Sequence, residues 1–263
     1  IACRMKMTVL DLPLTTLTGQ IDRLRRTLEQ ETRFGVGAAF QQRREHAVMD
    51  EDWSFSPVVN KHKDKAWSQL GTSGSGNHFV EFGTLTVESP DLDLKAGTYV
   101  ALLSHSGSRG TGNAIATYYS ELARKEHPEL PKELAYLAWL DMNSECGHAY
   151  WQAMQLMGRY AAANHELIHS SIARDLKTDA LLEIENHHNF AWKEMCDHKE
   201  VIVHRKGATP APAGMLGIIP GSMGTSGYVV RGKGRPESLN SASHGAGRKM
   251  SRKQARESFR WSH

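Results

Sequence analysis

The chain has 263 residues and a formal net charge of +3, from 32 basic and 29 acidic side chains. This near balance does not by itself indicate a nucleic-acid-binding protein. Three widely spaced cysteines exclude a disulfide framework and predict a reducing, cytoplasmic location. No apolar run approaches the roughly 18 residues of a membrane span, so no membrane partner is expected.

Hydrophobic periodicity predicts a mixture of helices and strands. Near the N-terminus, leucine and isoleucine recur at helical spacing, which predicts an amphipathic helix over residues 13–33. Further helices are predicted at 113–125, 141–174 and 248–256. Strands are predicted at 98–104, 181–185, 200–203, 216–219 and 228–230. No repeat or low-complexity linker divides the chain. A single mixed α+β domain over residues 1–263 is therefore expected, with its site on Gly-rich turns at strand ends.

Four short histidine motifs are the most informative feature of the sequence. They are Gly76-Asn77-His78-Phe79, His105-Ser106-Gly107-Ser108-Arg109-Gly110, Asn186-His187-His188-Asn189 and Ser243-His244-Gly245-Ala246-Gly247-Arg248. Imidazole groups together with the thiol of Cys3 suit a borderline transition metal. Glycine lets the backbone approach a phosphoryl group, and arginine neutralises its charge. These residue types together predict metal-dependent nucleotide chemistry.

These blocks resemble the RtcB family of GTP- and manganese-dependent RNA ligases. The resemblance runs from Cys3 to Arg248 and includes two further blocks. They are His204-Arg205-Lys206-Gly207-Ala208-Thr209-Pro210 and Pro220-Gly221-Ser222-Met223-Gly224-Thr225. So many blocks in family order rarely arise by chance. The resemblance implies an enzyme that joins an RNA 3′-phosphate or 2′,3′-cyclic phosphate end to a 5′-hydroxyl end, in tRNA splicing or RNA repair.

The resemblance also implies a role for individual residues. Two Mn²⁺ ions would be held by Cys3, His78, His105 and His188. Of the adjacent pair His187 and His188, only one can face a given metal, because neighbours on an extended strand point in opposite directions. The residues expected to bind the nucleotide are Asn77, Phe79, Glu81, Arg109, Lys206, Ser222, Gly245, Ala246, Gly247 and Arg248. Arg205 is a further candidate for holding phosphate.

The implied catalytic nucleophile is His244, which would take GMP from GTP to form a histidine–GMP phosphoramidate. GMP would then pass to the RNA 3′-phosphate, after any cyclic phosphate has been opened. Attack by the 5′-hydroxyl would expel GMP and seal the strand. Because thiolate and imidazole bind metal only when deprotonated, activity is expected to fall at acidic pH.

Basic residues concentrate in the last 33 positions of the chain, against two glutamates. They are Arg231, Lys233, Arg235, Arg248, Lys249, Arg252, Lys253, Arg256 and Arg260. Such a segment is most often a solvated face, but beside a nucleotide motif it is a candidate contact surface for RNA phosphates. An alternative function is therefore a catalytically impaired family member that binds RNA without taking up GMP.

The resemblance also predicts that this chain is incomplete at both ends. In the family an aspartate lies three positions before the metal cysteine, and Ile1 begins one residue too late to include it. The family also has a segment before this point, and it continues beyond the region of His244 with further nucleotide contacts.

One motif suggests a different class of enzyme. His165-Glu166-Leu167-Ile168-His169 matches the His-Glu-x-x-His signature of zinc metalloproteases, in which two imidazoles share one helical face. No metzincin-type extension follows His169, and no third ligand is evident. A helix that packs or faces solvent is the preferred interpretation, with the protease as a minor alternative.

Overall fold

The computed structural model describes residues 2–222 and 225–245, together with 250, 254, 257 and 258. Its helices are α1 (Thr16–Gly19), α2 (Ile21–Glu31), α3 (Pro57–Lys61), α4 (Lys63–Gln69), α5 (Arg109–Glu126) and α6 (Glu145–Leu176). Its strands are β1 (Cys3–Leu10), β2 (Phe79–Val87), β3 (Gly97–Gly107), β4 (Ala180–Cys196), β5 (Lys199–Lys206), β6 (Ala208–Pro210), β7 (Leu216–Ile219), β8 (Tyr228–Arg231) and β9 (Ser241–Ser243). This combination confirms the predicted α+β class.

The main sheet has five strands in the order β2-β3-β1-β4-β5, and all neighbouring pairs are antiparallel. The central strand is β1, in which Met5, Met7 and Val9 alternate with more polar residues. Strands β6 and β9 form one small two-stranded sheet, and β7 and β8 form another. The N-terminal strand therefore lies between the two longest strands of the molecule.

The two faces of the main sheet pack against different elements. On one face, Leu10 of β1 packs with Ile168 and Ile172 of α6. On the other face, Met5 and the apolar side chains that follow it at every second position pack with β7. Because successive side chains along a strand point to opposite faces, the odd-numbered residues of β1 lie on one face and the even-numbered residues on the other. The face away from α6 is the one that carries the metal candidates.

Helix α6 is the longest described element, with 32 residues, and Ser144 caps its N-terminus. The Ser144 side chain accepts a hydrogen bond from the Gly147 N–H, which satisfies one of the unpaired amides of the first turn. The helix ends at Leu176, and the following residue, Lys177, has a left-handed φ of 56°. Among the described residues, no helix is both long and apolar enough to cross a membrane.

Most predicted elements are confirmed, with changed boundaries. The helix predicted over 13–33 is two helices, α1 and α2. The strand predicted over 181–185 continues to Cys196, because its polar stretch pairs with β5. Strands β1, β2, β6 and β9 and helices α3 and α4 were not predicted. The helix predicted over 248–256 lies outside the described residues, except for Met250 and Gln254.

Candidate metal and nucleotide site

Three strands bring Cys3, His105 and His188 together. Met5 of β1 pairs with His105 on one side and with Asn186 on the other. Between β1 and β4 the register shifts, so that Arg4 pairs with His187 and Cys3 with Asn189. His188 is therefore the extra residue of a β-bulge, a feature that often redirects a side chain beside a functional site.

The potential ligand atoms of this cluster lie close together. Cys3 Sγ is 3.1 Å from His105 Nε2, which is 2.9 Å from His188 Nε2. The three ligand atoms all lie within 4.8 Å of one another. His78, one residue before β2, places its Nε2 3.7 Å from Cys3 Sγ. The structure thus brings together all four residues that were expected to bind metal.

The donor set fits a borderline divalent metal. His105 Nδ1 donates to the Asn77 carbonyl at 2.6 Å, which leaves the Nε2 lone pair pointing at the other donors. Burial raises the pKa of the Cys3 thiol to about 12, so a cation is needed to hold it as the thiolate. Burial also lowers the pKa of His105 and His188, which keeps both imidazoles neutral and able to bind metal.

His244 lies against this cluster. Its ring is stacked on that of His188, with centroids 3.6 Å apart and planes at 2°, and lies 6.0 Å from the His105 ring. Burial, and then the nearby His105, lower the pKa of His244 to about 4. A neutral imidazole has a lone pair available for nucleophilic attack. Gly245 follows it, whereas Ala246, Gly247 and Arg248 lie outside the described residues.

Gly207 holds His188 and His244 in this arrangement. Its N–H donates to the His188 carbonyl at 2.9 Å, and its carbonyl accepts from the His244 N–H at 3.0 Å. Its φ of +70° lies in the left-handed region that favours glycine. Sequence reasoning assigned no role to this residue, although a glycine directly after Lys206 in the predicted phosphate block was a usable signal.

Arg109 lies beside His78. Its Nε donates to Thr72 Oγ1 at 2.9 Å, and one terminal nitrogen donates to the Gly35 carbonyl at 3.3 Å. A Cβ on Gly74 would overlap both the His78 imidazole and the Arg109 guanidinium. The two side chains therefore share the space above this glycine.

The other candidates for nucleotide binding vary in their distance from the cluster. Phe79 contacts the His105 ring edge-to-face, with centroids 5.7 Å apart. Glu81 lies two residues further along β2 and is exposed, and the Asn77 side chain is also exposed. Lys206 is exposed at the end of β5, opposite Asn189. Ser222 is exposed in the β7–β8 connection.

In that connection, Ser222 Oγ lies 2.9 Å from Thr225 Oγ1. Of the basic C-terminal residues, Arg231, Lys233 and Arg235 are described, and all three are exposed. Arg231 forms an ion pair with Asp91 at 2.8 Å. The remaining basic residues of that segment lie outside the described residues.

Arg205 has a structural environment instead of the phosphate contact considered for it. The side chain is buried and makes two hydrogen bonds to the Glu194 carboxylate, at 2.6 and 2.9 Å. It also donates to Ser241 Oγ and to the Leu239 carbonyl, both at 2.7 Å. These bonds tie β4 and β5 to the chain that leads into β9. The guanidinium is thus fully engaged in hydrogen bonds within the protein.

The neighbour of His188 points away from the cluster, as alternation predicts. His187 stacks on Phe190, with ring centroids 4.6 Å apart. Phe190 in turn packs with Met154 and Ala161 of α6. His187 therefore lies on the α6 face of the sheet, where it contributes to packing.

The protease-like motif is part of the core. His165 Nδ1 and His169 Nε2 lie 2.6 and 2.7 Å from Ser104 Oγ. The other nitrogen of His165 is 3.3 Å from the Ser106 carbonyl, and that of His169 is 2.7 Å from Thr8 Oγ1. All four ring nitrogens are engaged, while Glu166 is exposed and faces His46. This geometry does not favour a zinc protease.

Comparison with known proteins agrees with these observations. The family model described as tRNA-splicing ligase RtcB matches residues 22–263. The chain is 39% identical over 206 residues to the RNA-splicing ligase RtcB of Escherichia coli K12, covering 73% of this chain and 48% of that protein. It is 36% identical over 251 residues to the tRNA-splicing ligase RtcB of Methanococcus maripaludis, covering 80% and 51%.

A third relative is the tRNA-splicing ligase RtcB of Nanoarchaeum equitans, 31% identical over 282 residues, with 92% of this chain and 58% of that protein covered. The chain thus spans about half the length of the curated relatives it matches. The family model covers nearly the whole chain, and the histidine cluster lies within the matched region apart from Cys3. The chain belongs to the RtcB family of tRNA-splicing ligases.

Proposed function

We propose that the protein is a GTP-dependent RNA ligase that joins 3′-phosphate or 2′,3′-cyclic phosphate ends to 5′-hydroxyl ends. The observation that carries the proposal is the stacking of His244 on His188 within the cluster of Cys3 and His105. It puts a neutral nucleophile beside a thiol and imidazole donor set. The substrates would be RNA ends produced in tRNA splicing or RNA damage.

His244 is the proposed catalytic residue. Its ring nitrogen attacks the α-phosphorus of GTP, so that a P–N bond forms and the P–O bond to pyrophosphate breaks. The low pKa of His244 supports this role, because the imidazole carries no proton on the attacking nitrogen near neutral pH. The guanylyl group then passes to the oxygen of an RNA 3′-phosphate, which releases the histidine.

Guanylylation makes the RNA end reactive. A phosphate monoester is a poor electrophile, whereas the guanylylated 3′-phosphate has GMP as its leaving group. The 5′-hydroxyl attacks that phosphorus, the new phosphodiester forms and GMP departs. A 2′,3′-cyclic phosphate must first be opened by water to the 3′-phosphate.

The proposed cofactor is Mn²⁺, with two ions held by Cys3, His78, His105 and His188. Bound metal would neutralise charge on the phosphates during each transfer. The close approach of the four donors and the hydrogen bond from His105 to Asn77 support this assignment.

The remaining residues would bind and orient the nucleotide. Arg109 is proposed to contact phosphate, and its position beside His78 supports this role. Lys206 is proposed to do the same from the end of β5. The other proposed nucleotide contacts are Asn77, Phe79, Glu81, Ser222, Gly245, Ala246, Gly247 and Arg248. A cytoplasmic location is proposed as well, supported by three free cysteines.

A ligation assay with defined RNA ends tests this proposal. One strand pair carries a 3′-phosphate and a 5′-hydroxyl, and the other carries a 3′-hydroxyl and a 5′-phosphate. With GTP and Mn²⁺, we expect sealing of the first pair alone. We expect His244→Ala to lower the rate by about 10³-fold or more, because the nucleophile is lost.

The matched control is His148→Ala, which removes an exposed histidine on α6 and should seal at the wild-type rate. Sealing of the 3′-hydroxyl pair, or undiminished sealing by His244→Ala, would contradict the proposed chemistry. RNA binding without any sealing would support the alternative of a catalytically impaired member.

A further inference from the structure

Asn164 of α6 is fully buried, and its side chain contacts two separate segments of the chain. Its Oδ1 accepts hydrogen bonds from the Gly71 N–H at 2.6 Å and the Thr72 N–H at 3.1 Å. Its Nδ2 donates to the Thr72 carbonyl at 2.9 Å, to Ser106 Oγ at 3.3 Å and to the Gly107 carbonyl at 3.4 Å. Because Nδ2 carries only two hydrogens, one of them is shared between two of these three acceptors.

Both segments lead to residues of the candidate site. Thr72 lies in the loop that ends at His78, and its hydroxyl accepts the hydrogen bond from Arg109. Ser106 directly follows His105 in β3. The β2–β3 ladder begins only where Phe79 pairs with His105, so the loop over residues 71–78 precedes the paired region. Asn164 makes three of its contacts with the loop and two with the end of β3, and so joins the two segments.

His165, the residue after Asn164, contacts β3 from the side of α6. His165 Nδ1 lies 2.6 Å from Ser104 Oγ, and its Nε2 lies 3.3 Å from the Ser106 carbonyl. Ser104 and Ser106 flank His105 and are both fully buried. These bonds, one to the Ser104 side chain and one to the Ser106 backbone, hold the strand on either side of His105, whose side chain points to the opposite face from that of Ser104.

We propose that Asn164 is a positioning residue for the metal cluster. It fixes the loop over residues 71–78 against the end of β3, and so aligns His78 and Arg109 with His105. The inference rests on the proposed metal site. Residues behind a metal ligand set its orientation and thereby its affinity, although they do not touch the ion.

Titration with Co²⁺ tests the proposal without any ligation reaction, because a cobalt–thiolate absorption band reports metal bound to Cys3. Wild type should show the band, and Cys3→Ala should lose it. Two variants then probe Asn164. Asn164→Ala removes all five hydrogen bonds, whereas Asn164→Asp keeps the shape and the acceptors but removes both donors. We expect either variant to bind Co²⁺ about 10- to 100-fold more weakly.

The matched control is Ile168→Ala, which truncates an equally buried α6 side chain that packs in the apolar core. Its melting temperature should fall, yet its Co²⁺ affinity should stay within about threefold of wild type. The proposal is overturned if a folded Asn164 variant binds Co²⁺ like wild type, or if Ile168→Ala loses as much affinity.

If neither variant at Asn164 folds, Ser106→Ala decides, because it deletes one hydrogen bond of Asn164 and the long 3.5 Å contact from Ser106 Oγ to the Thr72 carbonyl, and leaves the other bonds of Asn164 in place. A clear loss of Co²⁺ affinity supports the proposal, and unchanged affinity overturns it. If wild-type protein shows no cobalt–thiolate band, the metal site itself is refuted and the inference with it. Wild-type binding with unaffected Asn164 variants refutes the inference alone.

Discussion

The stacked rings of His188 and His244 are in the same protonation state. Burial lowers the pKa of both imidazoles, so both are neutral near pH 7. Neither Nδ1 has a hydrogen-bond partner among the described residues. A lone pair or N–H that is buried without a partner is costly, and such groups are often completed by a ligand. Both Nδ1 atoms are therefore available to a ligand that binds at this pair.

Gly74 offers a residue-scale test of the space shared by His78 and Arg109. A methyl group at this position overlaps both side chains, so we expect Gly74→Ala to displace them. Mn²⁺ affinity, measured by calorimetric titration, should fall about tenfold or more, as when the support of a metal ligand is lost.

The control for this substitution is Gly83→Ala in β2. A Cβ there meets nothing within 4 Å, and Mn²⁺ affinity should be unchanged. Equal Mn²⁺ affinities for Gly74→Ala and Gly83→Ala would show that the loop has room to adjust, and that the crowding at Gly74 has no consequence for the site.

His165 and His169 should make stability depend on pH. Burial lowers the pKa of His165 to about 3 and that of His169 well below its ordinary value. The unfolded chain has ordinary histidine pKa values of about 6.5 and therefore binds protons first as the pH falls. Their contribution is thus fully present above about pH 6.5 and is lost below it, at about 1.4 kcal/mol per pH unit for each ring.

We expect His169→Gln to reduce this slope by about 1.4 kcal/mol per pH unit between about pH 6 and pH 4. Urea unfolding of wild type and variant across that range measures the slopes, and carboxylates common to both proteins cancel. Parallel curves would mean that His169 takes up a proton in the folded state, against the buried neutral network described here.

At the scale of elements, α6 and β4 come especially close at Gly158 and Phe190. A Cβ on Gly158 would lie 2.7 Å from two carbons of the Phe190 ring. Alanine normally stabilises a helix relative to glycine by about 0.5–1 kcal/mol. Here we expect Gly158→Ala to destabilise the protein by about 1–3 kcal/mol, because overpacking forces the helix and strand apart.

Urea unfolding again provides the measurement, and a second substitution provides the control. Phe190→Leu makes room for the methyl group, so the double variant Gly158→Ala, Phe190→Leu should be more stable than the sum of the two single effects. A stabilising Gly158→Ala would show that helix propensity outweighs the contact with Phe190.

Local pattern predicted some elements well and others poorly. Helices α5 and α6 and strands β7 and β8 follow their hydrophobic periodicity closely. Strand β1 also has a period of two, with Lys6 and Thr8 between apolar residues, which is typical of a half-buried strand, so its sequence carried a usable signal. The far half of β4 is polar. Its pairing with β5 is a tertiary effect that the segment alone does not encode.

For the candidate site, the sequence predicted which residue types take part but not how they are arranged. Residue types predicted the thiol and imidazole donors, because few side chains suit a borderline metal. They could not predict that His188 occupies a bulge, since the bulge depends on the register with β1. Nor could they predict the hydrogen bonds of Asn164, which joins segments more than 90 residues from it in sequence to the end of β3.

At the scale of the whole molecule, segments far apart in sequence converge on one face of the main sheet. Cys3 begins β1, His105 ends β3, and His188 lies in β4. His244 directly follows β9, whose pairing with β6 brings it back to the cluster. Helix α6 supports the opposite face. The chain thus folds so that its central strand carries one potential ligand and both neighbouring strands carry another.

Mass spectrometry of the intact protein, after incubation with GTP and Mn²⁺, tests the central claim most directly. Wild type should gain the mass of one guanylyl group through an acid-labile bond, and His244→Ala should gain none. His148→Ala should be labelled like wild type. An adduct that persists in His244→Ala, or wild type that binds GTP and Mn²⁺ without forming one, would contradict the role assigned to His244.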